Sequence, residues 1–155
     1  MWLFAVIRGL RPIKSYNHSE VRFGNMTSGA IAKGVHTREW QGYVDSIKRI
    51  KWIDYPLTLT AAQWKKGYAY LQKVEGTKYE YSNFWNHAVN IFTGKWKGST
   101  TDKKLYCYER IIRFMNATGK YDLNPFMTPY EFQVWAKVNL AGECKLLETQ
   151  IISDL

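Results

Sequence analysis

The chain has 155 residues, 46% of them hydrophobic and 16% aromatic, with 22 basic against 13 acidic side chains and a net charge of +9. Such a length and aromatic content exclude a disordered chain and fit one globular domain, residues 1–155, with enough material to bury a core. The positive surplus favours anionic partners (nucleic acid, acidic membrane, a charged cell-wall polymer) without choosing among them.

Two cysteines, Cys107 and Cys144, are too few for a disulfide framework. No cluster of cysteine and histidine has zinc-ligand spacing, so a structural metal site is not expected. No run approaches the roughly 20 apolar residues of a membrane-spanning helix. The stretch from Met1 to Leu10 is apolar but short, is interrupted by Arg8, and lacks the charged start and cleavage site of a signal peptide. The expected setting is therefore a cytoplasm or a virion particle.

In chain order, the first third reads as strands. Trp2 to Arg8 is a short apolar run of strand type. Val21 to Phe23 alternates in character, and Gly24-Asn25 is a strong turn signal. A second strand from about Ser28 to Val35 completes a hairpin. Ser46 to Tyr55 alternates apolar and basic residues and reads as a further strand, stopped by Pro56. The remainder reads as helices. Thr60 is an N-cap for a helix whose Ala61, Trp64, Tyr68 and Leu71 recur at helical spacing, with Gly76 as its stop. Tyr81 to Phe92 has helical character, and the basic, glycine-containing stretch from Gly94 to Lys104 reads as an exposed loop. Leu105 to Met115 is an apolar helix ended by Gly119. Thr128-Pro129 opens a last helix, with threonine as N-cap and proline in the first turn. Its Phe132, Trp135 and Val138 are expected to face inward. The fold class is α+β, a small antiparallel sheet packed with helices.

Two residues stand out chemically. Cys107 lies near the start of a predicted helix, where the dipole favours the thiolate, which is the nucleophilic form. Read alone it is more readily a small buried hydrophobe. His18 lies at the start of a predicted strand, from which an imidazole can take a proton from a thiol. His36, at a strand end, and His87, among helical aromatics, compete for that role.

The order of these pieces carries a resemblance. Asn17-His18-Ser19-Glu20-Val21, Ser28-Gly29, Lys33-Gly34-Val35, Gly76-Thr77-Lys78-Tyr79-Glu80-Tyr81, Tyr106-Cys107-Tyr108-Glu109-Arg110-Ile111 and Asn124-Pro125 with Thr128-Pro129 follow one another. Together they resemble the circularly permuted NlpC-like papain-fold cysteine hydrolases, the group of amidases and lecithin retinol acyltransferase, over residues 1 to 138. In that branch the histidine precedes the cysteine, as His18 precedes Cys107. The resemblance implies a permuted papain-like fold, with strands first and the cysteine helix late. It implies Cys107 as nucleophile, His18 as base, and a third polar residue near Thr27 or Ser28 to orient the imidazole. Ser28 is a weak orienting group, and Glu20, two residues from His18 on the same strand face, is the substitute. Glu109 is expected to point away from the thiol and tie the helix to the sheet. The implied reaction is cleavage or transfer at an amide or ester bond, needing no metal or organic cofactor, with peptidoglycan or lipid among the reachable substrates.

Two other readings stand beside this one. A non-catalytic basic module, virion-associated or nucleic-acid-binding, would use the net charge and the loop from Gly94 to Lys104, with bases stacking on Trp96. A degenerate hydrolase scaffold would follow if Tyr108, in place of the usual small residue, crowds the thiol.

Overall fold

A computed structural model describes residues 18–46, 51–55, 57–80, 104–140 and 145–148. The expectations for residues 2–8 and 81–92, for the loop residues 94–103, and for His87 and Cys144 lie outside these.

The chain is α+β. Strands β1 (Glu20–Phe23), β2 (Met26–Ile31) and β3 (Gly34–Glu39) form an antiparallel sheet in that order. Turns with Gly24 at φ +54° and Gly34 at φ +118° join them, conformations that glycine adopts at little cost. The hairpin is thus a three-stranded meander. The expected single strand from Ser28 to Val35 is corrected, because Ala32-Lys33 is itself a turn ahead of Gly34. Gly34 is also sterically required, since a Cβ there would sit 2.7 Å from the Thr77 carbonyl oxygen.

A short helix, α1 (Trp40–Asp45), follows β3, and β4 (Lys51–Asp54) pairs antiparallel with β7 (Lys145–Glu148). Within the expected strand from Ser46 to Tyr55, the described extended part is therefore Lys51–Asp54, and Ser46 instead caps α1. Helix α2 (Ala61–Val74) begins with a full capping box, Thr60 accepting from the Gln63 N–H while Gln63 accepts from the Thr60 N–H. It ends before Gly76, at φ +74°. Strands β5 (Lys78–Tyr79) and β6 (Lys104–Leu105) pair in parallel.

Helix α3 (Cys107–Ala117) starts two residues later than expected, because Leu105 belongs to β6. Helix α4 (Pro129–Asn139) carries the second capping box, Thr128 with Glu131. Phe132 is buried and Trp135 packs against the core. Val138 is 76% exposed, against expectation, and Ala136 is the buried residue of that turn. The core lies between α2, α3 and one sheet face. Val21, Ala30 and Val35 from the sheet meet Leu71 and Val74 of α2 and Ile112, Phe114 and Met115 of α3. Among the described residues no helix is long and apolar enough to cross a membrane.

Candidate active site

The sheet register builds the site. Glu20, Gly29 and His36 form one row across β1, β2 and β3, and Arg22, Thr27 and Arg38, two residues along, form the next row on the same face. Directly paired residues share a face, so Glu20, Thr27 and Arg38 project to the same side. Gly29 makes this possible. A Cβ at Gly29 would lie 2.7 Å from the Glu20 carboxylate, so the missing side chain is the space Glu20 occupies.

Glu20 is the hub. Its Oε1 meets the His18 Nε2 at 2.7 Å, its Oε2 accepts from the Thr27 hydroxyl at 2.6 Å, and Arg38 Nη2 also donates to Oε1. Burial alone would raise the carboxyl pKa. The hydrogen bonds from His18 and Thr27, with the charges of His18 and Arg38, instead hold it below the usual range.

His18 stands between Glu20 and Cys107, since both act on its ring by hydrogen bonding and by charge. Burial pulls the imidazole pKa down. The hydrogen bonds and opposite charges of Cys107 and Glu20 overcome that pull and raise it to about 9.

Cys107 is the first residue of α3 and only 4% exposed. The N-cap Tyr106 supplies no side-chain hydrogen bond to the helix start, and the first intrahelical bond runs from the Arg110 N–H to the Tyr106 carbonyl. An open groove of about 350 Å³ lies beside the imidazole, lined by His18, Ala30, Ile31, Ala32, Tyr43 and Tyr79. His18 thus touches both the groove and the thiol.

The other expected residues lie elsewhere. Ser28 is fully buried, its Oγ accepting from Arg110 Nη2 and, at 3.0 Å, from the Thr37 hydroxyl. Its carbonyl accepts from Arg110 Nη1 at 2.6 Å. Ser28 therefore ties β2 to the cysteine helix, and Glu20 stands where the orienting group was sought. Glu109, expected to tie the helix to the sheet, pairs with Arg113 one turn along α3, at 2.8 Å. His36 is exposed, 3.6 Å from Glu75. Tyr108 turns toward α4, its ring edge-on to Phe132 and its hydroxyl accepting from Gln133 at 2.9 Å.

Sequence reasoning missed Arg38 and Tyr43. Arg38 lies over the Tyr43 ring, 3.8 Å from its centroid. The signal was the turn at Ala32-Lys33-Gly34, which fixes the register that sets Arg38 opposite Thr27. Among the described residues no group of acidic, histidine and cysteine side chains is arranged to hold a metal ion. The chain matches no protein-family model, no curated protein and no solved structure.

Proposed function

We propose that this protein is a thiol-dependent hydrolase or acyltransferase, with Cys107 as nucleophile, His18 as base and Glu20 as the residue that orients His18. The observation that carries this reading is the placement of His18, bonded to the Glu20 carboxylate at 2.7 Å and acted on by Cys107, the first residue of a helix. A nucleophile, a base within hydrogen-bond reach and a third group holding the base are what covalent acyl transfer needs. The order of histidine before cysteine agrees with the permuted NlpC-like pattern, and a permuted papain-like fold is part of the proposal.

The chemistry balances without further reagents. The Cys107 sulfur attacks the carbonyl carbon of an amide or ester, and the carbonyl oxygen takes the negative charge. Backbone N–H groups at the start of α3 are the nearest oxyanion donors of a suitable kind. The C–N or C–O bond breaks as the His18 imidazolium gives its proton to the leaving amine or alcohol. Water, or an acceptor hydroxyl or amine, then attacks the thioester while His18 takes its proton. The acyl group leaves and the thiol returns. The groove beside His18 is the natural seat for substrate flanking the carbonyl.

The test is the rate of iodoacetamide modification of Cys107 and Cys144 against pH, in the wild type and in His18→Ala. The expected result is fast alkylation of Cys107 well below the pKa of about 8.5 of an ordinary thiol, lost in His18→Ala. Equal, slow alkylation of both cysteines at ordinary thiol pH, unchanged by the substitution, would overturn the reading.

A further inference from the structure

Arg38 lies on β3, across the whole width of the sheet from His18, yet both donate to the same oxygen, Glu20 Oε1. Glu20 reaches both only because its side chain crosses β2 over Gly29. Its other oxygen is taken by Thr27, so the carboxylate has no freedom to turn away from either cation. Arg38 is held from behind by the Tyr43 ring. Among the described residues its Nε and Nη1 have no hydrogen-bond partner, so its hold on the site runs through Nη2 and the ring face. A second cation on a shared oxygen draws charge from it and weakens what that oxygen offers the first.

We infer that Arg38 is a positioning residue that acts on His18 through Glu20: it fixes the carboxylate beneath the imidazole and limits how strongly that carboxylate retains the imidazolium proton. The consequence for function rests on the thiol-hydrolase reading above. A histidine that holds its proton too firmly keeps the thiolate charged but is a poor donor-acceptor in turnover, since proton transfer works best near the operating pH. Arg38 keeps His18 from that extreme. Other charged or titratable groups also bear on the pair. Cys107 and Arg110 face it from α3, Tyr43 from α1, and Tyr79 from across the groove. Tyr43 also hydrogen-bonds to Glu20 through its hydroxyl, but it brings no positive charge, so the removal of Arg38 has a distinct signature.

The experiment follows the His18 ring by NMR against pH in the full chain, in wild type, Arg38→Gln, Arg38→Lys and Tyr43→Leu, with circular dichroism as the check of folding. In Arg38→Gln the His18 midpoint is expected to rise by about one unit. Arg38→Lys, which restores the charge, is expected to bring it back toward the wild-type value. Tyr43→Leu, which removes both the ring behind the guanidinium and the hydroxyl bonded to Glu20, is expected to raise it by less. If Arg38→Gln does not fold, Tyr43→Leu decides. Folded Arg38→Gln and Tyr43→Leu chains whose midpoints coincide with wild type, or fall below it, would overturn the inference. Iodoacetamide profiles on the same samples keep the two claims apart. A wild-type Cys107 that alkylates as an ordinary thiol sinks the hydrolase reading, whereas an unmoved His18 midpoint sinks the role of Arg38.

Discussion

Glu20 and Ser28 can be separated by what each residue binds. Glu20 is bonded to His18, so its charge stabilises the imidazolium directly. Ser28 is bonded to Arg110, so its loss strands a buried cation. Glu20→Gln keeps the shape but removes the charge, and it should lower the His18 midpoint by about one to two units. Ser28→Ala should leave that midpoint in place yet cost about 1–3 kcal/mol of stability, since the buried guanidinium loses a partner. Ring NMR and urea denaturation on the two variants read these effects independently. A Ser28→Ala chain with a displaced His18 midpoint and unchanged stability would reverse the assignment. That Glu20 and not Ser28 meets His18 is not decided by the sequence, for a physical reason. Cys107 and His18 could be singled out because thiol and imidazole are chemically rare. A third group is defined by contact across strands, and that needs the register. Glu20 was readable as sharing a strand face with His18, but Arg38 was not, because its row depends on a turn that had been merged into a strand.

At the scale of elements, what could be read locally was read well. The capping threonines Thr60 and Thr128, and the stops Gly76 and Gly119, are local signals and they bound α2, α3 and α4. What depends on packing was not legible, and Val138 is the example. Its helical spacing fits an inward face, but the turn of α4 that touches the core is set by Phe132 and Ala136. Gly67 is a second case. It stands in the middle of α2, where glycine normally costs about 1 kcal/mol relative to alanine. A Cβ there would lie 2.7 Å from the Phe114 ring and 3.0 Å from the Thr118 methyl. Phe114 and Thr118 are fully buried, so neither yields easily. Gly67→Ala should therefore destabilise the chain by about 1–3 kcal/mol, overpacking outweighing the gain in helix propensity. Thermal melting checks this, and an alanine variant with a higher Tm would show that α2 and α3 can move apart. That crossing also sets the seat of Cys107, since α3 carries the thiol at its first residue.

For the whole molecule the strongest prediction concerns stability against pH. The +9 charge is spread along the chain and favours unfolding by self-repulsion increasingly as the carboxylates protonate. Two groups of the site impose sharper limits. The Glu20 pKa is depressed in the fold, so its contribution is present above the ordinary carboxyl value of 4.5 and is lost as pH falls through its folded value. The His18 pKa is raised from 6.5 to about 9, so its contribution is complete below 6.5 and is lost as pH rises toward about 9. The site should therefore support the fold best between these limits, on the mildly acidic side of neutrality. Urea midpoints at pH 5.5 to 9.5 in wild type and His18→Gln would test this. The wild type should weaken as pH rises from about 6.5 to about 9, and the glutamine variant should stay nearly flat over that interval. An equal alkaline decline in both chains would assign the loss to other groups and would mean that His18 is not held as the imidazolium between Glu20 and Cys107. A decline confined to the wild type would tie global stability to the same proton that the proposed chemistry moves.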